Sequence, residues 1–309
     1  MNGLPHYVDR NGQCSRRWFV LFFACALMST AGCAATPYQY GQFRTPRERR
    51  KSSNEIAFEY GEPNQTLDGV RNVVDFPRRL FRGRKAKLDR ELSEQNRELL
   101  TQYLKQNDLA DVHVTVNQYD PKGEWERLRN NHCISAGWRY SAGVVNLAGY
   151  TILPGRAFGG EYYNPYTNTL QINSNRLPAA LHEAAYAKDI HSRSLPGTYA
   201  VVCRLPVISL WKTSAAMNDV LGYAQAEDNW ELERDTYREY CPQLVAAAAV
   251  PAGLFVTPLV GVAVKLCSRA VGGAVGYVIV HERQRQRDAE TESKEISKVR
   301  LVGVSKLQN

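Results

Sequence analysis

The sequence predicts an α+β fold with a small sheet and an apolar helical hairpin near the C-terminus. Three patterns carry that expectation. Apolar residues recur at helical spacing from about Lys87 to Gln106. Short alternating and Gly/Tyr/Thr-rich stretches between Val112 and Asn173 read as strands. Two further helical stretches cover Pro178 to Ile190 and Ser214 to Tyr240. With 309 residues, 44% hydrophobic and 23% charged, the chain is neither disordered nor of low complexity.

The N-terminus addresses the chain to a membrane. Arg16 and Arg17 precede the apolar run Trp18 to Met28, and small residues Ser29 to Gly32 lead into Cys33. That run is too short to span a bilayer and has the layout of a secretory signal. Small residues directly before a cysteine resemble the lipobox of bacterial lipoproteins, with Thr30 where Leu is usual. The resemblance implies that Cys33 is acylated (palmitate among its lipids) and becomes the new N-terminus. Ordinary cleavage near Ala31 or Ala35 is the alternative. Losing Arg10, Arg16, Arg17 and Asp9 with the signal lowers the formal charge from +8 to +6. Export implies an oxidising compartment, where Cys133, Cys203, Cys241 and Cys267 would allow two disulfides in three connectivities.

The expected organisation is a signal peptide over 1–32, a tether over 33–60 and a domain over 61–242. An apolar hairpin over 243–281 and a charged tail over 282–309 follow. Basic clusters at Arg44–Lys51 and Arg78–Arg90 suit a solvated face or anionic headgroups near the tether, and no nucleic-acid module accompanies them. In the domain, Val112 to Val116 alternates as a half-buried strand, and Asp120-Pro121-Lys122-Gly123 reads as a turn. Val144 to Asn173 reads as two or three strands with turns at Pro154-Gly155 and Asn164-Pro165. Asn175 and Pro178 open a helix to Ile190. The next helix, Ser214 to about Tyr240, is expected to stop at Pro242, with Gly222 its weak point.

Leu244 to Val264 is 21 residues without a charge, about 31 Å if helical. After Lys265 and Arg269, Ala270 to Val280 is apolar again with Gly272, Gly273 and Gly276. This block is either membrane-associated or a hydrophobic pair buried in the domain, the latter favoured by Pro251 and Pro258.

The candidate chemistry lies on the helix after Pro178, which reads His182-Glu183-Ala184-Ala185-Tyr186. In a zinc hydrolase two histidines four apart on one helical face hold the metal, and the Glu beside the first activates water. Here Tyr186 stands at the second-histidine position. His191, nine residues on, falls on the opposite face. The same residues fit a structural histidine on a helix, and His281-Glu282 is a second such pair.

The segment Tyr163 to Thr169, followed by a short strand and Ala180 to Asp189, resembles the core of gluzincin metallopeptidases of the HtpX and CAAX prenyl endopeptidase kind. The resemblance covers about residues 146 to 240. It implies a zincin-like fold with an edge strand before a degenerate HEXXH helix. It also implies a third zinc ligand at Glu231, a supporting carboxylate at Asp235, and Glu183 as catalytic base. With His182 and Glu231 alone the ligand set is one short, and a phenol is a poor third ligand at neutral pH. The expectation is therefore a membrane-anchored lipoprotein on the exported face of the cell envelope. It would be a pseudoenzyme that binds or scaffolds, with no cofactor and an unidentified protein partner. Its lipid contact would run through Cys33 and optionally 244–280. Two alternatives remain: an active envelope zinc peptidase with Tyr186 as a ligand ionised by the metal, and a structural membrane lipoprotein with no site.

Overall fold

A computed structural model describes residues 38–41, 56, 58–62, 69, 92–152, 160–248 and 258–306, with side chains of the last segment described at 266–293 and 296. The signal region and Cys33, both basic clusters, most of the tether and the Pro154-Gly155 turn lie outside these residues. Among the described residues, eight helices surround one four-stranded sheet, the α+β arrangement expected. The strands are β1 (Phe58–Tyr60), β2 (His113–Val116), β3 (Tyr162–Asn164) and β4 (Thr169–Ile172), in spatial order β1-β2-β4-β3. β2 runs parallel to both β1 and β4, and β3 runs antiparallel to β4 at one edge.

A parallel β2–β4 pair needs a long crossover, and two helices lie in it. Helix α1 (Glu94–Gln106) precedes β2. Helix α2 (Pro121–Asn130) starts where a turn was expected, because Asp120 caps it by accepting the Gly123 N–H at 2.9 Å and Pro121 suits its first turn. Helix α3 runs through Ala136–Trp138, a π-helical turn Arg139–Gly143 and Val144–Ile152. Strands were expected from Val144 onward, since Val, Thr and Ile favour pleated surfaces, but strand propensity yields to context. Gly143 lets α3 close on α2 and the β3–β4 turn: a Cβ there would sit 2.9 Å from Leu128 Cδ1 and 3.3 Å from the Tyr166 ring.

Helix α4 (Leu177–His191) carries the His-Glu pair and is buried nearly all round. Its small residues Ala180, Ala184 and Ala187 share the core with Leu100, Tyr103 and Leu104 of α1 and with Val114, Leu170 and Ile172 of the sheet. A helix apolar on every side belongs in the middle of a fold. Asn175 does not cap it. The Asn175 side chain instead accepts the Ser93 N–H and an Asn96 amide N–H, each at 2.8 Å, tying α4 to the start of α1.

The expected Ser214–Tyr240 helix is two. After α5 (Pro196–Val202), α6 (Pro206–Ala226) ends at Asp228, whose φ of 50° is left-handed, and α7 (Trp230–Ala248) begins at once. The Asn229 N–H reaches the Ala224 carbonyl and the Asp228 N–H that of Gln225, the bonding of a Schellman stop. Gly222 stays inside α6, and Pro242 sits within α7 without ending it. Helix α8 (Pro258–Lys306) then returns antiparallel to α7. Gly272 lets the two approach closely: a Cβ there would lie 2.6 Å from the Cys241 carbonyl oxygen. Arg283 pairs with buried Glu233 at 3.0 Å farther along. A hairpin is thus present, but it spans α7 and α8, and the divisions expected at 242 and 281 fall inside helices. Among the described residues no helix is long and apolar enough to cross a membrane. Cys203 and Cys267 carry free thiols, so the two-disulfide option is not realised.

Candidate functional site

His182 and Glu183 sit where α4 passes β3. The imidazole is 6% exposed, its Nδ1 lies 3.2 Å from Glu183 Oε1, and its ring stacks on Tyr240 of α7, 4.4 Å between centroids and 11° between planes. Its Nε2 is buried and meets no polar atom among the described residues. The other carboxylate oxygen of Glu183 accepts the backbone N–H of Tyr163 at 3.0 Å. Tyr163 belongs to the edge strand, so Glu183 occupies a donor that a further strand would otherwise use. Burial works to raise the Glu183 pKa. The His182 hydrogen bond and charge, the Lys212 charge and the Tyr163 N–H outweigh it, so the carboxyl lies below its ordinary value.

Tyr186 lies one turn after His182 on the same helix, as expected. It is 5% exposed, with its ring edge-on to Tyr163 and the Lys212 ammonium 4.0 Å above it. Burial above all, then the negative charge available on Cys203, Tyr162, Tyr163 and Glu183, pushes its phenol well above the ordinary value. The Lys212 ammonium opposes a second cation at this ring.

The structure does not bring Glu231 and Asp235, expected as metal ligand and supporting carboxylate, together with the pair. Glu231 is 75% exposed and lies 3.5 Å from Arg234, and Asp235 takes the Nε of the same arginine at 2.9 Å. Both line a surface groove of about 510 Å³ with Asn96, Arg176 and Arg238. Tyr240 is the α7 residue facing His182, and it lies nine positions after Glu231. That is about 13.5 Å along the helix and half a turn around it. Among the described residues no three His, Cys, Asp or Glu side chains converge to hold a metal ion. The orphaned Nε2 of His182 is one donor of the three that a catalytic zinc needs, so this residue set does not fit the metal. His191 is elsewhere, as its spacing required, with Nε2 3.1 Å from Asn168 Oδ1.

Two polar networks beside the pair carry no sequence signal. Arg176 joins Glu161 at 2.7 Å and Glu239 at 2.5 Å, linking the end of β4 to β3 and α7, with Ser174 between. Lys188 of α4 joins Asp219 of α6 at 2.6 Å, and Asp219 also accepts from the hydroxyls of Tyr38 and Tyr103. Ser174 aside, partners 15 to 181 positions apart leave no local motif.

Comparison with known proteins yields no matching family model, no matching curated protein and no matching solved structure.

Proposed function

We propose that this chain is an exported, lipid-anchored envelope protein whose hydrolase-like helix serves architecture and binding, with no hydrolysis. One observation carries the reading: the Glu183 carboxylate, which would be the general base, is engaged by the Tyr163 N–H of the edge strand. In a working zincin that carboxylate would instead be turned toward a metal-bound water. Support comes from the buried phenol of Tyr186 and the Lys212 ammonium beside it, and from the distance between Glu231 and Tyr240 along α7. The anchor rests on the lipobox-like sequence at Cys33.

The test uses protein extracted from membranes in detergent. Metal analysis should find well under one zinc per chain, and a chelator should leave no hydrolysis of unfolded casein to be inhibited. A fatty-acid probe should label the wild type and not Cys33→Ser. Stoichiometric zinc that disappears in His182→Ala would restore the peptidase alternative. Label that survives Cys33→Ser would remove the anchor.

A further inference from the structure

The described segment Tyr38–Gly41, within the stretch read as a tether, is fastened to the domain. The Tyr38 hydroxyl lies 2.9 Å from Asn107 Oδ1 and 3.2 Å from Asp219 Oδ2, and Lys188 Nζ reaches that hydroxyl at 3.0 Å and the Gln39 carbonyl at 2.6 Å. The Tyr38 ring packs on Gly222, where a Cβ would come within 3.1 Å of it. Two residues later the Tyr40 hydroxyl donates to Glu227 at 3.0 Å. Going from Tyr40 back to Tyr38, the strap thus runs from the C-terminal end of α6 toward its N-terminus.

Chain length turns that direction into a constraint. Cys33 is five residues before Tyr38 and can lie at most about 17 Å from it. Trp211 is eight residues before Asp219 on α6, about 12 Å along the helix. The candidate acylation site is therefore within reach of the N-terminal end of α6. That end has a composition of its own. Leu195 is 68% exposed, Leu205 56% and Trp211 49%. Around them, Arg193, paired with Asp189 at 2.5 Å, lies 5.5 Å over the Trp211 ring, Lys212 turns to the Tyr186 ring, and exposed Arg204 makes no ion pair among the described residues. A groove of about 990 Å³, lined by the strap, Arg193 and Lys212, connects the strap to this end. Because α6 and α7 are joined by a three-residue turn and run antiparallel, the uncharged stretch beginning at Leu244 emerges at the same end.

We infer that the end of the bundle bearing Leu195, Leu205 and Trp211 rests in the interfacial layer of an anionic membrane, held there by the short strap from acylated Cys33. The inference rests on the lipid-anchor reading above. An exposed Trp and two leucines beside arginine and lysine are the composition that sits at a headgroup boundary. A lipid anchor acts together with any further contact that the protein makes with the same membrane. A face within the anchor's own reach supplies such a contact, and with exposed Arg204 on it the lipid it fits is anionic.

The test places the purified acylated chain in vesicles of phosphatidylglycerol or phosphatidylcholine carrying bromine near the headgroup end of the acyl chains. Tryptophan emission of the wild type should be quenched, and Trp211→Phe should remove at least half of that quenching. The pair Leu195→Ser/Leu205→Ser, both exposed and so neutral for folding, should reduce it at least twofold. Quenching should be stronger on phosphatidylglycerol and weaken in 0.5 M salt. Equal quenching in wild type and Trp211→Phe would overturn the face, whatever the state of Cys33. Absence of fatty acid on Cys33 with Trp211 still quenched would overturn the anchor and leave the face standing. Shielding of Trp211 from iodide without vesicles, together with a dimer in sedimentation, would assign the face to a second copy and overturn the lipid assignment.

Discussion

The ring of His182 lies flat against that of Tyr240, 4.4 Å between centroids and 11° from parallel. The phenol thereby fills the side of the imidazole on which the resemblance expected a carboxylate from the same helix. Tyr240 also belongs to the small core with Met217, Leu221, Tyr237 and Val280 that fastens α7 to α6 and α8. Removing its ring opens a cavity where three helices meet. Tyr240→Ala should cost about 3–5 kcal/mol and Tyr240→Phe about 1 kcal/mol or less, read from urea unfolding. Equal midpoints for wild type and Tyr240→Ala would mean the stack contributes nothing.

Restoring the missing histidine should not restore a metal. Tyr186→His would complete the i, i+4 pair on α4, but Glu231 stays with Arg234 on the exposed side of α7 and Lys212 keeps a positive charge beside the new ring. Dialysis against excess zinc followed by metal analysis should leave the variant well below one zinc per chain. One zinc per chain would show that a carboxylate can swing in to complete the three ligands.

Two buried groups give stability two separate acid dependences. The folded pKa of Glu183 lies below its ordinary 4.5, burial being outweighed by His182, Lys212 and the Tyr163 N–H. Its contribution is present above pH 4.5 and lost as pH falls through the lower folded value. His191 has a folded pKa below its ordinary 6.5, because burial outweighs the attraction of Asp111 and Asp108. The unfolded chain takes that proton first, so stability falls as pH drops below 6.5 toward the folded value. Glu183→Gln should flatten the lower window and His191→Gln the upper one, in unfolding free energies measured from pH 3 to 8. A pH profile unchanged by either substitution would refute the corresponding assignment.

Adjacent glycines in α8 should respond oppositely. A methyl at Gly272 meets the Cys241 carbonyl oxygen and Pro242 Cα, both at 2.6 Å, and that backbone cannot step aside. At Gly273 nothing lies within 4 Å. Gly272→Ala should therefore destabilise by about 1–3 kcal/mol through forced separation of α7 and α8. Gly273→Ala should stabilise by about 0.5–1 kcal/mol through helix propensity. Thermal unfolding of the two variants checks the pair, and a shared direction would contradict the close approach at Gly272.

Much of the fold was legible because its signals are local. The α4 pattern around Pro178 and the alternation before Val116 each follow from a few neighbouring side chains, and the structure has helix and strand there, whereas the expected break at Lys265–Arg269 lies inside one continuous helix. Errors arose where two local signals compete. Val144–Ile152 has strand-forming residues but is helical on a packed face, and Asp120-Pro121 opens a helix because Asp120 caps it. The break at Asp228 was missed because an aspartate, where glycine is usual, takes the left-handed position.

By itself the sequence determined the helix around Pro178, the sharing of that helix by His182, Glu183 and Tyr186, and the exclusion of His191 from their face. Those follow from 3.6 residues per turn and need no tertiary contact. Which residue of α7 meets that face was decided only by packing. Whether α7 offers Glu231 or Tyr240 depends on its rotation and shift, which Gly272, Gly276 and the turn at Asp228 set from other parts of the chain. The fastening of Tyr38–Gly41 by Lys188 and Asp219 is likewise tertiary, since its partners lie up to 181 positions apart and no local rule relates them.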